Sequence, residues 1–186
     1  MLTPTEQKLA NSGTHALVIG GSITGLLAAR VLTNHFDSVT LVERDCIPEQ
    51  LMSRQGVPQA NHVHVLLTWG QRILEQLFPG LGAELTAAGA PRIDWIADWS
   101  TLGAWGWVPR FSSGLSGRTC SRNLLEWSIR HRLAQSDRLQ FLEGCHVTGL
   151  LTDANQSRVT GVRLHFREGS QVAHLDGGKE YRNSAG

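Results

Sequence analysis

Residues 15–30, His15-Ala-Leu-Val-Ile-Gly-Gly-Ser-Ile-Thr-Gly-Leu-Leu-Ala-Ala-Arg30, restrict the fold more than any other stretch of the chain. Ala16 to Ile19 is an uncharged apolar run, which predicts a strand buried on both faces. Gly20, Gly21 and Ser22 break the run, and from Gly25 onward Leu27, Ala28, Val31 and Leu32 recur at helical spacing. A strand, a glycine turn and a helix in that order set the free N–H groups of a helix N-terminus beneath a pyrophosphate. The full G-x-G-x-x-G pattern reads here as Gly20-x-Ser22-x-x-Gly25, with serine where a glycine normally lets backbone approach the phosphates. A small hydroxyl fits that position and can donate a hydrogen bond. A second strand, Ser38-Val-Thr-Leu-Val-Glu43, ends in an acid at the expected distance of about 20 residues. A carboxylate there accepts ribose hydroxyls and repels a 2′-phosphate, so Glu43 argues for FAD or NAD over NADP. Arg44 could serve a 2′-phosphate, but the acid before it makes that the weaker reading. The bland alternative is a buried βαβ unit that binds nothing.

The remaining features bound the setting. A chain of 186 residues with 41% hydrophobic and 18% charged residues suggests one globular domain. A formal net charge of +1 implies no nucleic-acid partner, and no apolar run is long enough for a transmembrane segment. Residues 1–13 form a polar leader without the apolar core of a secretion signal, read as a flexible arm. Cys46, Cys120 and Cys145 are odd in number and lack C-x-x-C spacing, which fits a reducing, cytoplasmic setting.

Arg54 to His64 holds Gly56, Pro58 and Asn61 without a period and reads as a loop. His62 and His64 invite a metal reading, but no further ligand follows at metal spacing, so no metal is expected. Val65 to Leu81 predicts a helix with Leu66, Trp69, Ile73, Leu74 and Leu77 on one face, ended by Pro79-Gly80 and followed by a helical turn over 82–88. Residues 91–117 are a tryptophan-rich insertion: Trp95, Trp99, Trp105 and Trp107 lie among glycines in short strands. These either line a pocket for a flat apolar substrate or form the core of a small sheet layer. Residues 112–117 read as a flexible loop. Ser121 is a candidate N-cap for a helix to about Gln135 with Leu125, Ile129 and Leu133 spaced by four. Arg118, Arg122, Arg130, Arg132 and Arg138 read as a solvated basic face. Leu139 to Leu142 is a short strand, and Cys145–Leu151 with Arg158–Phe166 form a hairpin around Asp153. Residues 167–186 are a polar tail with room for one weak strand.

Four stretches together resemble one family: Val18 to Leu26, Val39 to Asp45, Gly56 to His64 with the helix after it, and Ser121 to Glu126. The set looks like the N-terminal part of FAD-dependent monooxygenases related to para-hydroxybenzoate hydroxylase, with squalene-epoxidase-like and geranylgeranyl-reductase-like flavoproteins as close relatives. The resemblance covers residues 14–166, a partial FAD/NAD(P)-binding domain. It implies an α/β fold: a Rossmann-like βαβ unit with parallel sheet strands and an antiparallel hairpin, incomplete at the C-terminus. It also implies that the turn Gly20, Gly21, Ser22, Ile23, Thr24 and Gly25 holds the FAD pyrophosphate. Glu43 would bind the adenosine ribose with Arg44 beside it, Arg122 would reach the FAD phosphates, and Val147 would offer backbone atoms to the adenine. The family's later Asp-Gly and Gly-Asp motifs have no match. Asp176-Gly177 is the only Asp-Gly in the chain and reads as a hairpin turn.

The resemblance implies a flavin-dependent monooxygenase, a hydroxylase or epoxidase of an aromatic or olefinic substrate, with NADPH or NADH as electron donor. No residue is singled out as a catalytic acid or base. Two other readings stand beside it: a flavin-dependent isoprenoid reductase, and a non-catalytic nucleotide-binding remnant. An NAD-linked dehydrogenase is disfavoured by the resemblance beyond Glu43.

Overall fold

The computed structural model describes residues 14–47, 50–51, 64–167, 172–176 and 179–183. The leader over 1–13, the loop over 52–63 with His62, and the Gly177 of the Asp-Gly pair lie outside the described residues. In chain order the elements are β1 (His15–Ile19), α1 (Ile23–Leu32), β2 (Ser38–Val42), β3 (Val65–Leu66), α2 (Thr68–Leu77), α3 (Leu81–Ala87) and β4 (Arg92–Asp94). They continue as β5 (Leu102–Gly103), β6 (Gly106–Trp107), β7 (Ser116–Thr119), α4 (Arg122–Leu133), β8 (Leu139–Leu142), β9 (Cys145–Thr152), β10 (Val159–Phe166), β11 (Val172–Asp176) and β12 (Lys179–Asn183). Two compact units divide the chain. One contains residues 1–50, 54–56 and 130–186; the other contains 51–53 and 57–129.

The first unit is α/β. Its parallel sheet has the order β1-β2-β8, in register Ala16 to Val39 and Val39 to Leu139. Helix α1 carries the chain from β1 to β2, as a parallel pair requires. The central strand β2 is buried on both faces, with Val39, Leu41 and Val42 at 2% exposure or less. β1 is not: Ile19 is 56% exposed, because β1 stands at the edge of the described sheet while β2 takes the centre. The face of α1 also differs from the expected one. Leu26, Ala29 and, one turn on, Thr33 are buried, whereas Val31 is exposed. This helix is apolar nearly all round, so its pattern does not select a face; the close approach of Gly25 to β1 does. The second sheet of this unit is antiparallel, in the order β12-β11-β10-β9. The expected hairpin is β9–β10, and the tail adds two strands rather than one, with Asp176 paired to Lys179 across residues 177–178. Val42, Cys145, Val162 and Leu164 form a buried cluster, against which Leu17, Leu142, Val147 and Phe166 pack.

The second unit packs α2 and α3 beside a small antiparallel sheet of order β3-β7-β4. The helix expected over 65–81 is a short strand and a shorter helix, because Val65 and Leu66 pair with Thr119 and Arg118 of β7 before α2 begins, and the helical turn expected after it is α3. A left-handed Gly80, φ 85°, then separates α2 from α3. Of the expected apolar face only Leu74 is deeply buried, and Trp69 is 72% exposed with Arg72 over its ring at 5.0 Å. The tryptophan-rich stretch is neither a core layer nor a single lining. Trp95 and Trp99 meet with ring centres 5.8 Å apart, while Trp105 and Trp107 stand exposed on the β5–β6 hairpin.

Residues 112–115 are not a loose loop, and 116–117 belong to β7. Asp94 ties this segment down: its carboxylate accepts from the Ser113 hydroxyl (2.6 Å) and from the N–H groups of Ser113, Gly114, Ile96 and Ala97. The Ser113 hydroxyl above all, then the Ile96 N–H, hold this carboxyl well below its usual 3.8. A depressed folded value contributes stability that is complete above the unfolded value and lost as pH falls through the folded one. Acidification far below 3.8, through the depressed value of this carboxyl, is therefore expected to release residues 95–115, read as accelerated cleavage there by an acid protease. An Asp94→Ala variant is expected to be cleaved in that segment already at neutral pH.

Candidate functional site

The C-terminal ends of β1 and β2 lie side by side, since Ile19 pairs with Val42. Ligands of open α/β sheets bind at such an edge. After β1 the chain turns through Gly20 at φ +99°, a conformation that side chains rarely adopt. The Gly20 N–H donates to the Val42 carbonyl at 2.8 Å, which fastens the turn to β2. Ser22 is extended (φ −80°, ψ 177°) and is the N-cap residue of α1; its carbonyl accepts the Leu26 N–H at 2.9 Å. Its hydroxyl makes no capping bond. The helix therefore begins at Ile23, and the N–H groups of Ile23, Thr24 and Gly25 have no acceptor within the helix. Gly25 is required by space: a Cβ there would stand 1.8 Å from the Gly20 carbonyl oxygen.

Glu43 closes the site from β2. It is 7% exposed, so its charge must be met by donors. The Gly21 N–H donates to Oε2 at 2.6 Å, and the Asp45 N–H to Oε1 at 3.0 Å. The first is a short, charge-assisted bond. It means that Gly21 holds the acid in place. This link joins the two sequence signals, and it was not readable from spacing alone. Arg44, next along, is exposed. The segment after Glu43 runs beside the turn from β8 to β9. Cys145 N–H donates to the Glu43 carbonyl at 3.2 Å, and Ile47 N–H to Glu143 Oε2 at 2.8 Å. Val147 lies two residues beyond Cys145 on β9, half-buried and paired with Leu164. The turn, Glu43 and Val147 thus all belong to the first unit.

Arg122 belongs to the second unit, at the first turn of α4. The Ser121 hydroxyl caps this helix by accepting the Leu124 N–H at 3.1 Å. Arg122 Nε lies 3.6 Å from Glu126 Oε2. Burial, and then the Arg122 charge, hold the His64 imidazole below its usual value. The basic residues do not form one solvated face. Arg118 is 3% exposed, and its guanidinium donates to Thr86 Oγ1 (2.7 Å) and to the Ala90 carbonyl. Sequence spacing missed it because β7 runs inward, across from α2 and α3. The cysteines at 46, 120 and 145 are free thiols. Among the described residues, no helix is long and apolar enough to cross a membrane.

No protein-family model matches the chain. Protein Rv3254 of Mycobacterium tuberculosis is 39% identical over 161 residues, which are 84% of this chain and 34% of that protein. The chain thus spans about a third of the length of this curated relative. Among solved structures, Pseudomonas aeruginosa PqsL in complex with 2-aminobenzoylacetate matches with a TM-score of 0.63 at 18% identity, over 85% of this chain and 40% of PqsL. The flavin-dependent monooxygenase PieE, solved with FAD and substrate, matches with a TM-score of 0.54 at 19% identity, over 91% of this chain and 28% of PieE. The tetrameric form of 2-methyl-3-hydroxypyridine-5-carboxylic acid oxygenase matches at 0.55 and 21% identity, over 88% of this chain and 38% of that one. The chain has the fold of the N-terminal part of FAD-dependent monooxygenases.

Proposed function

We propose that this chain binds FAD through the ADP half of the cofactor and belongs to a flavin-dependent monooxygenase acting on a small aromatic or olefinic substrate. The observation that carries the reading is the bond from Gly21 N–H to Glu43 Oε2 beneath a helix start that only glycine at position 25 permits. A bare βαβ unit has no need to bury a carboxylate at the mouth of its sheet. Here the acid is held in place where a ribose would present its hydroxyls, and a carboxylate can accept about four hydrogen bonds. The N–H groups of Ile23, Thr24 and Gly25, with the helix dipole, suit a pyrophosphate. Ser22 adds a hydroxyl donor at the same point. Among the described residues β9 is an edge strand of its sheet, so alternate backbone groups near Val147 lie outside that ladder and suit an adenine edge.

Bound flavin would supply the redox chemistry that activates oxygen. The residues of this chain bind and orient its nucleotide end. No acid or base for the reacting centre is assigned among them. NADPH or NADH is the proposed donor of electrons, and the protein is proposed to act in the cytoplasm.

The test is an absorption spectrum after incubation with FAD and desalting, with ADP and FMN as competitors. Retained flavin that ADP displaces and FMN leaves in place is the expected result. A folded protein that retains no flavin and is not stabilised against heat by ADP overturns the proposal. Isoprenoid-reductase chemistry rests on no separate observation here. Once flavin is retained, NADPH-driven oxygen consumption with an aromatic substrate tests the monooxygenase assignment.

A further inference from the structure

In the second unit a small cavity lies among α2, α3 and β7, lined by Leu66, Gln71, Leu74, Glu75, Leu85 and Arg118. It has room for a single water molecule, about 10 Å³, and opens in part to solvent. Two buried polar atoms in these walls, Gln71 Oε1 and Arg118 Nε, have no hydrogen-bond partner among the described residues. Arg118 is 3% exposed, and its Nη1 is already committed to Thr86 Oγ1 and the Ala90 carbonyl. Glu75 is committed as well, accepting the N–H groups of Gly80 at 2.5 Å and Gly82 at 2.9 Å. Nε–H is thus a leftover donor and Gln71 Oε1 a leftover acceptor, and the chain buries both rather than expelling either. A buried polar group without a partner is costly, and native proteins rarely keep two together.

We infer that this cavity is a binding site for a single structural water, which accepts from Arg118 Nε–H and donates to Gln71 Oε1. Water fits one donor and one acceptor at once. An anion does not, because the wall also carries the Glu75 carboxylate. The water links α2 to β7 where the helix has only Leu74 buried deeply beside it. It therefore closes the helix layer of this unit against its sheet.

The test is thermal unfolding of Gln71→Leu in the whole chain, paired with NMR transfer from water to the Arg118 Hε. With a resident water, the substitution strands the Arg118 donor. The midpoint is then expected to fall by roughly 2–4 °C, the size of one lost buried hydrogen bond in a chain of this length. The unaltered protein is expected to show a long-lived water cross-peak to Hε. A raised or unchanged midpoint together with no cross-peak means a dry cavity and overturns the inference. A midpoint that rises specifically with chloride, against an ionic-strength control, assigns the site to an anion and also overturns it. None of these outcomes depends on flavin binding.

Discussion

Gly25→Ala is expected to abolish flavin retention and to lower stability by about 3 kcal/mol or more. The added methyl would lie 1.8 Å from the Gly20 carbonyl oxygen and 2.9 Å from its carbon. Both atoms are backbone, so no rotamer change relieves the clash. The only relief is for α1 to move away from β1, and that movement breaks the turn. It also draws the N–H groups of Ile23 and Thr24 away from any phosphate. The neighbouring glycines give a graded control. At Gly21 a methyl would meet Glu43 Oε2 and Leu41 Cδ2 at 3.0 Å, side-chain atoms that can shift. At Gly20 nothing lies within 4 Å, and the cost is the φ of +99° alone, about 1–3 kcal/mol. The checks are flavin bands after desalting and the thermal midpoint with and without ADP. An alanine at 25 that retains FAD as the parent does means that the close approach of helix and turn is not needed for binding.

The turn and the acid were legible in the sequence because each rests on a local requirement. Gly20 and Gly25 answer to φ and to space, and Glu43 answers to its distance from the turn. Leu125, Ile129 and Leu133 were legible for a similar reason: a spacing of four on an otherwise polar helix allows one buried face, and all three are buried. Where apolar residues were too plentiful, the pattern lost information. α1 is apolar around most of its circumference, so Leu26 and Ala29 rather than Ala28 and Val31 face the sheet. The opposite failure occurred at residues 65–81. There the spacing was helical, yet Trp69 and Ile73 stand exposed, and Val65 and Leu66 were taken by pairing with β7, a partner more than 50 residues away. Long-range pairing also explains Arg118. An arginine in a polar stretch reads as solvated, and it is the carbonyl of Ala90 and the hydroxyl of Thr86, about 30 residues upstream, that receive its guanidinium in the interior. Asp94 shows the same limit: the partner that orders 112–115 stands 19 residues upstream of Ser113.

Glu43→Gln is expected to weaken FAD and ADP binding by about 10–100-fold, with a stability loss of about 1–3 kcal/mol. The carboxylate is buried and accepts two backbone N–H groups, one on each oxygen. An amide keeps one acceptor and turns an NH₂ against the other N–H. Either the Gly21 or the Asp45 donor is left facing a donor, and both lie at the mouth of the site. The two losses can be separated. Loss of the N–H acceptor loosens the turn and lowers the thermal midpoint with no ligand present. Loss of ribose contacts lowers affinity for any ligand that carries the adenosine ribose and leaves FMN unaffected. A variant that loses stability but keeps the parent's ADP affinity would make Glu43 a clamp on Gly21 and nothing more, with no role toward a ribose. A variant that loses ADP affinity, and binds a 2′-phosphorylated ADP relatively better than the parent, assigns the carboxylate to the ribose. The acid would then exclude the 2′-phosphate through its charge, since Gln differs from Glu at that point by little else.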